Sequence, residues 1–142
     1  MTLRVLFLCT GNSARSLIAE ALLRSIGGEA FAVFSAGTHP KGVNPLTLRV
    51  LAEAGVEAEG LRSKNVADFL DQPFDYVITV CDSAAEECPV FPGAKAMLHW
   101  SFPDPAAVEG PEPVRLTAFR ATVRRLKESV AGFIAQAAAP PR

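Results

Sequence analysis

The sequence predicts an α/β fold: a four-stranded parallel sheet with strand order 2-1-3-4 and helices on both faces. Two observations predict it. Four short apolar segments alternate along the chain with segments of helical periodicity. The apolar segments are nearly continuous rather than alternating, which is typical of parallel strands covered on both sides. In this doubly wound order a ligand binds at the carboxyl edge of the sheet, where strands 1 and 3 diverge.

The predicted strands are residues 3–8, 31–35, 76–80 and 94–99. The first helix, residues 16–26, carries apolar side chains at helical spacing and is stopped by Gly27 and Gly28. Cys9 follows strand 1, and Cys81 follows strand 3. Because the ends of neighbouring parallel strands lie about 4.8 Å apart, these two cysteines are expected within disulfide reach.

The remaining helices follow from capping and periodicity. Asn44 is predicted to cap a helix that begins at Pro45, with Leu48, Leu51 and Ala52 facing inward. Residues 66–70 are predicted to form one helical turn, and residues 100–113 a proline-rich loop. Apolar residues recur every three or four positions from 114 to 134, which predicts a long closing helix. We expect the tail 137–142 to fray.

Composition excludes several classes of function. The 142 residues suit a single domain, residues 1–142, and a hydrophobic fraction of 49% with 20% charged residues suits a buried core. A net charge of -1 gives no basic surface for nucleic acid. The N-terminal apolar stretch is too short for a signal peptide or a membrane span, so we expect a cytoplasmic protein. Three cysteines in a reducing compartment favour reactive chemistry over structural disulfides.

Residues 9–16 join strand 1 to helix 1 and have the pattern of an anion-binding loop. Successive backbone N–H groups can form a nest, and the helix N-terminus adds positive potential. We expect this field to lower the pKa of Cys9, the predicted nucleophile, and Ser16 can donate a hydrogen bond to its thiolate. The sequence lacks the GK[ST] ending of nucleotide-binding loops. The predicted oxyanion ligands are Thr10, Gly11, Asn12, Ser13, Ala14 and Arg15.

Cys9-x5-Arg15-Ser16, with the later Asp104-Pro105, resembles the low-molecular-weight protein tyrosine phosphatase family. The resemblance continues through residues 35–38 (Ser-Ala-Gly-Thr) and on to His99-Trp100. It implies a three-layer sandwich, a thiolate nucleophile at Cys9 and a general acid at Asp104. Without further cysteines, the implied reaction is phosphomonoester hydrolysis through a phosphocysteine at Cys9.

Residues 80–89, which contain Cys81 and Cys88, resemble the redox segment of thioredoxin-coupled arsenate reductases, which share that fold. The resemblance implies arsenate as substrate, phosphate or sulfate as analogues, and thioredoxin as reductant, with no cofactor. It also implies a relay in which Cys81 and then Cys88 take over the oxidation of Cys9. Seven residues of helix span about 10 Å, beyond disulfide reach, so the intervening segment must loop or unwind. Its acidic residues, Asp82, Glu86 and Glu87, would raise nearby thiol pKa values without local compensation.

Two alternatives remain open from sequence. A plain phosphatase needs neither Cys81 nor Cys88, although the tyrosine pair of phosphatase relatives is replaced by Ala106-Ala107. A non-catalytic oxyanion carrier would need neither a proton donor nor three thiols. His39 and His99 have no metal-ligand spacing with the cysteines, so no metal is predicted.

Lys64 is a departure from the family pattern. Some relatives bind potassium beside the loop through Asn, Glu, Ser and Asp side chains, and Asn12, Glu20 and Ser35 match the first three. Lys64 stands where those relatives carry the Asp. Its ammonium could replace the cation, or it could be an exposed loop lysine.

Overall fold

A computed structural model describes residues 2–87 and 90–137, so Cys88, Pro89 and the predicted frayed tail from residue 138 lie outside the described residues. The strands are β1 (Leu3–Cys9), β2 (Phe31–Gly37), β3 (Phe74–Thr79) and β4 (Ala94–His99). All three pairings are parallel, and the order is β2-β1-β3-β4. The predicted strand order 2-1-3-4 is confirmed.

The central position of β1 in the sheet determines where the candidate site lies. Its register pairs Cys9 with Gly37 of β2 and Leu8 with Thr79 of β3. The three carboxyl ends therefore meet at one edge of the sheet. Residues from Val5 to Leu8 are completely buried, as the continuous apolar run predicted.

The layers packed on the two faces of the sheet differ in thickness. Helices α1 (Arg15–Gly27), α2 (Pro45–Glu53) and α4 (Glu112–Ala137) share one core cluster with Val5 and Phe7. The opposite face, below Leu6 and Leu8, is covered by the single 3-10 turn Val66–Asp68 and neighbouring aromatic rings. Helical structure thus lies on both faces, but the second layer is one turn thick. The rings in this layer, with neighbouring centroids 5.7 to 6.2 Å apart, are Phe34, Phe69, Phe74 and Phe91.

Helix α2 begins at the predicted residue, but the side chains that face the core differ from those predicted. The Asn44 side chain accepts a hydrogen bond from the N–H of Leu46 at 2.9 Å and caps the helix. The predicted inward positions Leu48 and Ala52 are wrong, because both are exposed. The polar Thr47 is buried and bonds the carbonyl of Ser13, so the helix turns its opposite stripe to solvent. The buried stripe is Leu46, Thr47, Val50 and Leu51.

Other boundaries differ by a few residues. Strand β3 begins at Phe74, two residues earlier than predicted, and helix α4 begins at Glu112 inside the predicted loop. That loop also holds a 3-10 turn, Pro105–Ala107, capped by the carboxylate of Asp104. Between residues 2 and 137, leaving out 88 and 89, no helix has the length and apolar character needed to span a bilayer.

Candidate active site

The loop after β1 is held with its carbonyl oxygens pointing outward. Those of Cys9, Thr10 and Gly11 accept backbone N–H bonds of 2.8 to 3.1 Å from residues 38–41. The Ser13 carbonyl accepts a hydrogen bond from Asn44 N–H and another from the Thr47 hydroxyl. In a planar trans peptide the N–H points opposite to the C=O. The amides that follow these carbonyls therefore face the centre of the loop, as an anion requires.

Asn12 shapes the turn of this loop. It has φ 43, the sole positive φ at a non-glycine position in the described part of the chain, a conformation that Asn tolerates better than most residues. Its completely buried side chain accepts from the N–H of Lys64 and donates to the hydroxyls of Ser16 and Ser35. These three hydrogen bonds hold Asn12 in its left-handed backbone conformation.

Gly37, at the end of β2, lets the loop pack against the sheet. A Cβ at this position would lie 2.5 Å from the Thr10 carbonyl oxygen and 2.9 Å from the Asn12 nitrogen. Neither contact is compatible with an added methyl group, so the approach of the loop to β2 depends on glycine.

A pocket opens above the loop. Arg15 donates from Nη1 to the carbonyl of Phe102 at 2.9 Å, and its Nη2 lies 3.8 Å from Asp104 Oδ2. The Arg15 side chain is 12% exposed, so its charge acts with little screening. The predicted nucleophile, guanidinium and acid are thus brought to one cavity. The cavity is lined by Cys9, Thr10, Gly11, Ser13, Ala14, Arg15, Lys41, Asp104 and Ala106.

Cys9 and Cys81 are both buried free thiols, and their side chains lie close enough together for each to shift the pKa of the other. Contact with Cys9 lowers the pKa of Cys81 to about 5, aided by the Thr10 hydroxyl at 3.3 Å and the Ala84 N–H at 3.4 Å. The pKa of Cys9 is raised, first by its hydrogen bond with Cys81 and then by burial, against the opposing charge of Arg15. The Arg15 charge acts on Cys9 in the expected direction, but the low pKa falls on its neighbour Cys81. The two thiols therefore titrate as a pair.

The acidic residues that follow Cys81 do not raise its pKa, because neighbouring hydrogen-bond donors compensate for them. Asp82, which begins helix α3 (Asp82–Glu87), turns toward solvent, where it accepts hydrogen bonds from His99 at 2.9 Å and Ser101 at 3.0 Å. The bond from His99 lowers the pKa of the Asp82 carboxyl. At the other end of α3, Glu87 lies 2.9 Å from His39 Nε2. Each end of this helix is thus tied to a histidine.

Ser16 and Lys64 belong to a buried cluster beneath the loop. Ser16 is completely buried, and its hydroxyl accepts the Asn12 amide at 2.8 Å. Lys64 Nζ lies 3.4 Å from Glu20 Oε1 and from Ser35 Oγ, and it donates to the Arg62 carbonyl at 2.7 Å. Its side chain is 12% exposed, so the alternative of an exposed loop lysine is wrong. Within residues 2–87 and 90–137, no three His, Cys, Asp or Glu side chains come together as a metal site.

Cys88 lies outside the described residues. The segment before it is helical from Asp82 to Glu87.

Several residues of the site were not identified from sequence. Lys41 lines the pocket, and the hydroxyls of Thr47 and Ser63 bond the carbonyls of Ser13 and Gly11. Each reaches the loop through a tertiary contact across 30 or more positions. No local pattern marks them.

Known proteins are similar to this chain in both sequence and architecture. The sequence profile described as low molecular weight phosphotyrosine protein phosphatase matches residues 4–140. The chain is 39% identical over 116 residues to an arsenate reductase of Halalkalibacterium halodurans, covering 82% of this chain and 84% of that protein. A solved arsenate reductase in a phosphate-binding state is similar, with TM-score 0.77, 28% identity, and coverage of 96% of this chain and 98% of that one. A thioredoxin-dependent arsenate reductase of Corynebacterium glutamicum has TM-score 0.66 and 33% identity, covering 92% of this chain and 62% of that one.

Proposed function

Because the chain belongs to the low molecular weight phosphotyrosine protein phosphatase family, we propose that it reduces arsenate to arsenite by a relay of its three cysteines. The observation that supports this most directly is the position of Cys81: its sulfur lies 3.3 Å from the hydroxyl of Thr10 and next to Cys9, and both of these residues line the oxyanion pocket. A phosphatase needs one thiol there, whereas a reductase needs a second thiol beside it.

The first step is attack on arsenic. A proton shift across the Cys9–Cys81 hydrogen bond supplies the Cys9 thiolate without an external base. The inward amides and Arg15 hold three oxygens of the arsenate. A Cys9 sulfur–arsenic bond forms, an arsenic–oxygen bond breaks, and Asp104 protonates the departing oxygen as water.

The second step moves electrons to arsenic. Cys81 gives the proton that it took from Cys9 to an arsenic-bound oxygen, and its thiolate attacks the Cys9 sulfur. The sulfur–arsenic bond breaks, and its electron pair reduces arsenic from the +5 to the +3 state. The products are arsenite, which takes up protons from water, and a Cys9–Cys81 disulfide. The Cys88 thiolate then attacks Cys81, which releases the Cys9 thiolate and leaves a Cys81–Cys88 disulfide.

An external dithiol must reduce that last disulfide. We propose thioredoxin in this role, as the name of the related enzyme from Corynebacterium glutamicum indicates for that protein. A relay of free thiols requires a reducing compartment, which supports a cytoplasmic location. Phosphate and sulfate should bind the same loop as unreactive analogues of arsenate.

Phosphomonoester hydrolysis is expected as a side activity. Cys9, Arg15 and Asp104 line one pocket, and phosphoryl transfer needs only these groups. The test therefore asks whether arsenate reduction can be lost while aryl phosphate hydrolysis is kept. With thioredoxin, thioredoxin reductase and NADPH, the wild-type protein should consume NADPH on addition of arsenate.

Cys81→Ser and Cys88→Ser should abolish arsenate-dependent turnover and keep hydrolysis of an aryl phosphate, whereas Cys9→Ser and Arg15→Ala should abolish both. If the well-folded wild-type protein hydrolysed aryl phosphates but consumed no NADPH with arsenate, the reductase proposal would be wrong. Loss of phosphatase activity in folded Cys81→Ser would show that Cys81 supports the loop instead of relaying oxidation.

A further inference from the structure

Four of the buried polar residues lie together under the oxyanion loop, and none of them forms or breaks a bond in the proposed chemistry. Each is at most 4% exposed. Such a cluster is costly unless every group is paired. Lys64 enters the cluster from the segment that follows α2. The four residues are Asn12, Ser16, Glu20 and Ser35.

Glu20 brings a buried charge that needs a counterion. Its Oε2 accepts from Arg24 at 2.6 Å, but the Arg24 side chain is 49% exposed and lies at the rim of the cluster. Its Oε1 points into the cluster, where it accepts from the Ser35 hydroxyl at 2.5 Å and lies 3.4 Å from Lys64 Nζ. Lys64 is therefore the cation on the side of the carboxylate that faces the loop.

The same atoms lead directly to the loop. The Ser35 hydroxyl, which donates to Glu20, accepts from the amide of Asn12 at 3.0 Å. The Asn12 carbonyl oxygen accepts from the backbone N–H of Lys64 at 2.8 Å. Lys64 thus contacts Asn12 through its backbone and, by way of Ser35, through its ammonium. Asn12 is the residue whose left-handed backbone turns the loop amides inward.

We propose that Lys64 is a positioning residue for oxyanion binding. Its ammonium is a built-in counterion of Glu20, and it orients the Ser35 hydroxyl so that the Ser35–Asn12 hydrogen bond keeps the loop amides turned toward the anion. Without a cation at this point, the Ser35 hydroxyl and the Glu20 carboxylate lose their common partner. The loop then samples conformations in which Asn12 leaves its left-handed geometry.

The surroundings of the ammonium also indicate what could replace it. Glu20 Oε1, Ser35 Oγ and the Arg62 carbonyl oxygen all lie within 3.4 Å of Nζ. A set of oxygen ligands of this kind suits a small hard cation once the lysine side chain is removed. Lys64→Ala should therefore accept potassium, ammonium or methylammonium, whereas Lys64→Met fills the space with an uncharged chain.

The experiment measures binding of inorganic phosphate by calorimetry in a tetramethylammonium buffer of constant ionic strength. Lys64→Met should bind phosphate about tenfold more weakly than the wild type, and its KM for an aryl phosphate should rise more than its kcat falls. Lys95→Met is the matched control, because Lys95 pairs with Asp75 at 3.3 Å on an exposed part of the sheet edge. It should bind phosphate within about twofold of the wild type.

Exchange of the buffer cation tests the counterion role itself. Potassium, ammonium or methylammonium should restore phosphate binding to Lys64→Ala, but should change neither the wild type nor Lys64→Met. A wild-type protein that bound phosphate more tightly with potassium would overturn the proposal, as would a folded Lys64→Met that bound phosphate normally.

The double variant Glu20→Gln/Lys64→Met covers the case in which Lys64→Met does not fold. It removes both charges, so the proposal requires it to fold and bind phosphate better than Lys64→Met alone. An equal defect in both would overturn the proposal. The inference rests on the proposed function only in that the loop binds an oxyanion. Absence of phosphate binding in the wild type would reject that function, whereas binding that is indifferent to Lys64 rejects this inference alone.

Discussion

Removal of Cys9 should raise the pKa of Cys81. The hydrogen bond from Cys9 is the largest cause that lowers the Cys81 pKa to about 5 from the ordinary value of 9.0. At pH 7 a thiol with the lower value is about 99% ionised, whereas one with the ordinary value is about 1% ionised. Cys9→Ala should therefore move the Cys81 midpoint upward by at least about one pH unit. Cys81→Ala should move the Cys9 midpoint downward, because the largest cause of its raised pKa is lost.

The assay is thiolate absorbance at 240 nm against pH, supported by rates of alkylation with iodoacetamide, in a Cys88→Ser background. The parent should gain one thiolate near pH 5 and resist a second until strongly alkaline pH. Sulfate should slow alkylation of the pair by occupying the loop. Two independent titrations near the free-thiol value, or a Cys81 midpoint that does not change in Cys9→Ala, would refute the reasoning that the two thiols titrate as a pair.

Three further outcomes are expected. Gly37→Ala should weaken phosphate binding and lower stability by about 2 kcal/mol, measured by calorimetry and urea unfolding. Gly132→Ala, where an added Cβ inside helix α4 meets nothing within 4 Å, should leave phosphate binding unchanged and raise stability by about 1 kcal/mol; equal losses in the two variants would contradict the packing argument. Asp104→Asn should lower kcat for an aryl phosphate by a factor of about 10² or more while keeping phosphate binding; normal kcat would exclude it as the acid. Amide exchange should show the amides of Asp82–Glu87 losing protection when the Cys81–Cys88 disulfide forms, with β1 and α4 unchanged, whereas equal protection would mean that no unwinding step exists.

The parts of the fold that sequence predicted are those decided by local pattern. The run before Cys9 is apolar at nearly every position, which requires burial on both sides and places β1 at the centre of the sheet. The Cys9-x5-Arg15 spacing between a strand and a helix predicts an anion-binding loop, because the nest and the helix N-terminus both depend on short-range geometry. Asn44 and Pro45 marked the start of α2 for the same reason.

Features decided by tertiary contact could not be predicted in this way. The inward stripe of α2 was misassigned because Thr47, a polar residue, is buried to bond a loop carbonyl. The direction of the Asp82 side chain depends on His99, 17 positions away. The pKa of Cys9 follows from its contact with Cys81, which local electrostatics of the loop does not include.

The chain has two histidines, and both imidazoles are bonded to carboxylates of α3, one at each end. The proton NMR signals of the imidazole rings are few and lie apart from most other resonances, so this placement turns them into two natural reporters on the redox helix. Unwinding of α3 removes the Asp82 partner from one ring and the Glu87 partner from the other. A one-dimensional spectrum of the unlabelled protein could then tell which end of the helix releases first as oxidation passes along the thiols.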